Sequence, residues 1–184
     1  PMPDAVIVST ARTPIGRAFR GAFNDTKSPS LTAHAIRHAV SRAGLHGAEI
    51  EDAIIGTVLA AGTAGMNLAR NAVLAAGLPV TVPAQTIDRQ CSSGLMAVAI
   101  AAGLIRSEGR QIVLAGGQDS ISLVQALYFE SVAAQRDPAV TAHVEHAYMP
   151  MLRTAEFVAA KYGVTRAAQD EYALESQRRT AAAQ

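Results

Sequence analysis

Cys91 is the sole cysteine of the chain, and it opens the stretch SSGLMAVAIAAGLI, which has no charged side chain before Arg106. A helix that is apolar all round is expected to be buried on every side. Ser92, Ser93 and Gly94 suit a tight polar helix start, with Asp88 and Arg89 just ahead of it. A thiol placed there meets the unpaired N–H groups of the first turn and the positive end of the helix dipole. That setting favours thiolate over thiol, against an ordinary cysteine pKa of about 8.5. The same N–H groups can hydrogen-bond an oxyanion once the sulfur has attacked a carbonyl. The chemistry this pattern points to is acyl transfer through a thioester. The competing reading is a small buried hydrophobe, the usual state of a free cysteine.

The remaining candidates point to less. His34 and His38 are spaced like a helical metal pair, but no glutamate follows His34 and no third ligand is evident, so an exposed helix surface is expected and no metal. Gly116-Gly117 lacks a phosphate-binding GxGxxG or GxxxxGK context and reads as a tight turn at a strand end. Arg12, Arg17 and Arg20 fit a solvated loop better than a phosphate or subunit contact. His143 and His146 are given no role.

The elements that must position Cys91 alternate between strand and helix. Residues 5–9, AVIVS, read as a buried strand, and residues 53–59, a stretch near 84–87 and QIVLAGG at 111–117 as three more. Ser28-Pro29 reads as an N-cap and first helical residue, opening a helix that Gly44 ends. MNLARNAVLAAGLP reads as a second helix, stopped by Gly77 and Pro79, and the Cys91 segment as a third. This order predicts an α/β fold with a mainly parallel sheet covered by helices. Residues 118–150 lose periodicity and are expected to form a long loop or lid. Residues 154–163 and 166–182 read as amphipathic helices, the second started by Thr165.

Composition narrows the field. The 184 residues are 49% hydrophobic and 17% charged, enough for a core and lean for a free surface. A net charge of +1, eight Phe and Tyr residues in total and no basic run argue against nucleic acid. The longest apolar run, residues 95–105, is half the roughly 20 residues of a membrane span. The N-terminus lacks a signal-peptide layout, and one cysteine excludes an internal disulfide or a CxxC site, so a reducing cytoplasm is expected.

DRQCSSGLMAV resembles the nucleophile segment of the thiolases. VIVSTARTPIG is similar to the family's opening strand and loop, NLARNAVLAAGLP to its second helix, VLAGGQDSIS to its AGGxExMS turn, and residues 154–184 to its loop-domain helices. Asp88, Asp119 and Ile121 depart mildly, standing where many members have asparagine, glutamate and methionine. The resemblance implies a 3-ketoacyl-CoA thiolase or acetyl-CoA acyltransferase with Cys91 as the acylated residue, no cofactor, and coenzyme A thioesters as substrates. It implies a CoA contact at Met151, where Pro150 replaces a histidine found in some members. The implied fold is the α/β core of the N-terminal half over residues 1–118 and the beginning of an inserted helical loop domain over 119–184.

The same resemblance puts the catalytic histidine and a second cysteine in a C-terminal half that is absent here. The chain is therefore expected to be part of a longer enzyme, completed by that half and assembled as a homodimer or homotetramer. A sheet lacking the closing strand would keep an unpaired apolar edge. Two alternatives stand beside this reading: a β-ketoacyl synthase-type condensing enzyme, and a non-catalytic scaffold half of a split thiolase.

Overall fold

The computed structural model describes residues 3–184. The chain divides into two compact units, Pro1–Ala134 and Gln135–Gln184.

In the first unit three parallel strands, β1 (Asp52–Gly56), β2 (Ala84–Ile87) and β3 (Val113–Gly117), form a sheet in the order β2-β1-β3. Ala53 lies beside Ala84 on one flank and Leu114 on the other, so β1 is central. Its AIIG run is buried throughout, as expected of a parallel strand covered on both faces. Helices α1 (Ser28–Arg42), α2 (Leu68–Ala75) and α4 (Ile121–Ala134) cover one face, and α3 (Ser93–Glu108) lies on the other. Strand alternation explains the division: Ala53 and Ile55 join Ile36, Val40, Leu68, Val73 and Val124, while Ile54 meets Ala97 and Ala101 of α3.

Four expectations change. Residues 5–9 form no strand, and Val6, Ile7 and Val8 are 71%, 76% and 73% exposed. Their β-branched side chains suit a strand, but a strand needs a hydrogen-bonded neighbour. Instead the segment is tied to α1: Ser9 donates to the Ala39 carbonyl at 2.8 Å, and Arg42 donates to that of Thr10 at 2.7 Å. The N-cap of α1 is Lys27 rather than Ser28, whose hydroxyl is buried without a partner. Pro29 follows Ser28 at the second helical position.

Residues 118–150 are not one long loop, since they contain α4 and the short α5 (Pro138–His143). Helix α4, ISLVQALYFESVAA, hid from periodicity because apolar residues occur on every side of it. Gly116-Gly117 lies within β3 rather than in a turn, and α3 comes close at Gly117, whereas a Cβ on Gly116 would meet only Ile55 at an ordinary 3.8 Å.

The second unit contains α5, α6 (Met151–Tyr162) and α7 (Arg166–Ala183) and has no buried residue. Thr165 caps α7 by accepting the N–H of Ala168 at 3.2 Å, as its sequence position implies. Among the described residues no helix is long and apolar enough to cross a membrane.

Candidate active site at the start of helix α3

Cys91 occupies a braced turn between β2 and α3. Ser93 accepts the N–H of Arg89 at 2.8 Å and donates its hydroxyl to the Gln90 carbonyl at 2.6 Å. Ser92 donates to the Arg89 carbonyl at 2.8 Å, and Asp88 accepts the N–H of Gln90 at 2.7 Å. Four side-chain hydrogen bonds thus hold the six residues 88–93, and they hold them in tension. Gln90 has φ +49°, a left-handed conformation that costs a non-glycine residue roughly 1–2 kcal/mol. Backbone strain of this kind persists only where the surroundings enforce it.

Two glycines of the sheet let α3 descend onto it beneath that turn. A Cβ on Gly56 would fall 2.5 Å from the Ser93 carbonyl carbon, and one on Gly117 would fall 3.2 Å from the Gly94 Cα. Only hydrogen atoms fit at this crossing. The start of α3 therefore stands directly over the C-terminal ends of β1 and β3, where parallel sheets commonly present their ligand sites.

The Cys91 thiol is exposed, and no hydrogen bond reaches it among the described residues. It opens on a cavity of about 410 Å³ shared with Gly56, Gly94, Gly117 and Asp119. Ser92 is the N-cap of α3, yet its hydroxyl is spent on Arg89, and no side chain caps the helix. The N–H groups of Gly94 and Leu95, in the first turn, have no intrahelical partner. This corner can offer a sulfur nucleophile and backbone donors for a developing oxyanion. No histidine lines it.

Sequence reasoning placed Cys91, Ser92, Ser93 and Gly94 together, and the structure does so too. It overstated the cover on α3, where only Ser93, Ala97 and Ala101 are buried and Leu95 and Val98 stand 74% and 39% exposed. Small residues press one face of α3 against Ile54, and nothing among the described residues covers the opposite face.

Asp119 was read only as a departure from a motif. Its Oδ1 accepts from the Thr57 hydroxyl at 2.8 Å and from the N–H groups of Val58 and Leu59 at 3.0 and 2.9 Å. A carboxylate gathering three donors fixes the loop after β1 against the end of β3. The signal in the sequence was an acidic residue two positions after a glycine-ended strand.

The other candidates of the first unit are not brought to this corner. Met151 is the first residue of α6 in the second unit and is 74% exposed. His34 and His38 are exposed on α1, their rings 4.5 Å apart, and among the described residues no group of three or more His, Cys, Asp or Glu could hold a metal ion. Arg12, Arg17 and Arg20 are exposed.

Comparison with known proteins agrees with this architecture. A family profile described as "Thiolase, N-terminal domain" matches residues 5–184. The chain is 40% identical to a 3-ketoacyl-CoA thiolase of Bacillus subtilis (strain 168), over 99% of the chain and 46% of that protein. It is 42% identical to an acetyl-CoA acetyltransferase of Cupriavidus necator, over 100% of the chain and 48% of that protein. It is 39% identical to a peroxisomal 3-ketoacyl-CoA thiolase B of Mus musculus, over 98% of the chain and 42% of that protein. The chain spans about half the length of these relatives. With its parallel sheet, its helices on both faces and a matching profile over nearly its whole length, the chain belongs to the thiolase family and corresponds to the N-terminal domain.

Proposed function

We propose that the chain supplies the nucleophile of an acyl-CoA acyltransferase that moves acyl groups between 3-ketoacyl-CoA, CoA and acetyl-CoA through a thioester on Cys91. The observation that carries this is the exposed thiol at the braced start of α3, over a floor where only glycine fits. In the degradative direction the Cys91 thiolate attacks the 3-keto carbonyl, and the tetrahedral oxyanion takes hydrogen bonds from helix-start N–H groups. Collapse breaks the C2–C3 bond. The acyl group stays on sulfur, and acetyl-CoA leaves as an enolate that takes up a proton. A CoA thiolate then attacks the acyl-Cys91, releasing acyl-CoA and restoring the thiolate.

Both proton transfers need an acid/base group near the sulfur, and none lines the Cys91 cavity as a histidine or second cysteine. On this reading those groups come from a C-terminal half, and the 184 residues alone acylate slowly without turning over. Residues 1–118 act as the α/β core and 119–184 as the beginning of a loop domain, whose Met151 contacts CoA. The working enzyme is a homodimer or homotetramer of the cytoplasm, acting in fatty acid metabolism.

Exposure of the assembled enzyme to acetyl-CoA, followed by mass analysis, should add one acetyl group to the peptide holding Cys91. Cys91→Ser should lower that acetylation on the order of a thousandfold or more, since the nucleophile itself is removed. Acetylation elsewhere with Cys91 unmodified would overturn the assignment. If Cys91 reacts with electrophiles no faster than free cysteine, the scaffold reading is favoured instead.

A further inference from the structure

His34 and His38 of α1 line neither the Cys91 cavity nor the larger cavity of about 800 Å³ beside that helix. The acyl-transfer steps do not use them. We propose that the two imidazoles form a surface chelating site for one late first-row divalent ion, Cu(II) or Ni(II) in preference to Zn(II), with water in the remaining positions. The proposal stands apart from the acyl-transfer reading.

The first observation is the separation of the rings. Residues at i and i+4 on a helix carry their Cβ atoms about 5–6 Å apart on one face, near enough for both side chains to reach one ion. The ring centres of His34 and His38 are 4.5 Å apart and the planes are inclined at 58°, so the pair is not a flat stack. An ion held by one nitrogen of each ring at about 2.1 Å stands about 3.2 Å from each ring centre. A right angle at the ion then sets the centres about 4.5 Å apart, and a tetrahedral angle about 5.2 Å. The observed separation matches the right angle. Square and octahedral coordination have that angle, which suits Cu(II) and Ni(II), whereas Zn(II) favours the tetrahedron.

The second observation is that the imidazoles are free. Both are exposed, and among the described residues they contact each other and make no hydrogen bond. A metal-bound histidine usually gives its second ring nitrogen to a carboxylate or carbonyl, and such a partner adds about 10–100-fold in affinity. Here water takes that place, so the site holds its ion exchangeably. The sequence expectation of no metal rested on the missing third protein ligand, and water stands in for that as well.

The third observation is where the nearby cations go. Arg37 lies between the two histidines and Arg42 one turn beyond His38, and either guanidinium would repel a dication. Arg37 donates instead to the Ala75 carbonyl at 3.0 Å, and Arg42 to the Thr10 carbonyl at 2.7 Å. Ser30 and Ser41, one turn to either side of the pair, are exposed and carry hydroxyls suited to bonding the ion's waters. Ala33, Ile36 and Val40 bury the other side of α1, so the helix that sets the spacing is anchored. The unfolded chain lacks that spacing, and binding is therefore coupled to folding.

The test titrates Ni(II), Cu(II) and Zn(II) separately into the 184-residue chain carrying Cys91→Ser, which removes the only thiol as a competing ligand. Calorimetry should find one Ni(II) per chain at micromolar affinity, with Cu(II) tighter and Zn(II) weaker. His34→Ala and His38→Ala should each weaken Ni(II) binding at least about tenfold, while a variant lacking both His143 and His146 should bind as the parent does. Both alanine variants alter exposed helix positions, so without metal they should unfold close to the parent. At free Ni(II) about ten times the parent's dissociation constant, the folding equilibrium constant should rise about tenfold in the parent and less than about twofold in His38→Ala.

Absence of Ni(II) binding into the millimolar range overturns the proposal, as does equal affinity in His38→Ala. Loss of binding in the variant without His143 and His146 would move the site to the second unit and overturns it too. Zn(II) bound more tightly than Ni(II) overturns the right-angle geometry on which the choice of ion rests. Cys91 acetylation enters none of these measurements, so the metal site and the acyl-transfer reading fail separately.

Discussion

Leu68, Ala69, Ala72 and Val73 of α2 are all at 0% exposure, whereas α3, twice as long and more apolar, buries only Ser93, Ala97 and Ala101. Both helices flank the same sheet. The difference lies in what stands beyond them: α1 and α4 close over the α2 face, and the outer side of α3 meets nothing among the described residues. The braced Cys91 turn belongs to the unfinished face. Stability and chemistry are thus assigned to opposite sides of one sheet, and each side can be attacked separately.

The largest effect on folding should come from the finished side. Leu68→Ala removes a fully buried side chain packed among Ile55, Leu59, Ala69 and Val124 and should cost about 2–5 kcal/mol of unfolding free energy in urea titration. A cost under about 1 kcal/mol would show that the α2 face is less closed than its burial implies.

Next in size is Gly56→Ala, which strikes the seam between the two sides. The added methyl would meet the Ser93 carbonyl at 2.5–2.6 Å, so α3 must lift. Overpacking of this kind costs about 1–3 kcal/mol. Because Cys91 stands on the displaced turn, its acetylation should fall by more than the stability loss explains. Retained acetylation in a destabilised variant would separate the glycine floor from the site.

Asp119→Asn should cost less, about 1–2 kcal/mol, because asparagine keeps an oxygen that can accept from the same donors and only the charge is lost. Its mark should be local: faster hydrogen exchange at Val58 and Leu59, with β2 unaffected. Uniform acceleration throughout the sheet would mean that Asp119 supports the whole unit.

How much of this was legible in the sequence follows the same divide. The strands at 84–87 and 113–117 and the helices around Ala72 and Ala97 could be read because local pattern and final environment agree. The candidate corner could be read because Cys91, Ser92, Ser93 and Gly94 are adjacent in the chain. Residues 5–9 misled because a β-branched run states a preference, while a strand also requires a neighbour. Helix α4 was hidden because an all-round apolar segment has no period to detect. Asp119 and Gln90 were silent for a third reason: one acts across 60 residues of chain to reach Leu59, and the other through a backbone angle that glutamine rarely adopts.

The smallest expected effect is the most informative about the comparison. Leu95 is as large as Leu68 and also sits in the first turn of its helix, yet it is 74% exposed. Removing an apolar side chain costs stability in proportion to the area it had withdrawn from water, and Leu95 has withdrawn little. Alanine is also the better helix former, which offsets part of that small loss. Leu95→Ala in the isolated chain should therefore change unfolding free energy by less than about 0.5 kcal/mol, with Leu68→Ala as the internal standard. A cost approaching that of Leu68 would mean that the outer face of α3 is already covered in solution, and the contrast between the two helices would fail.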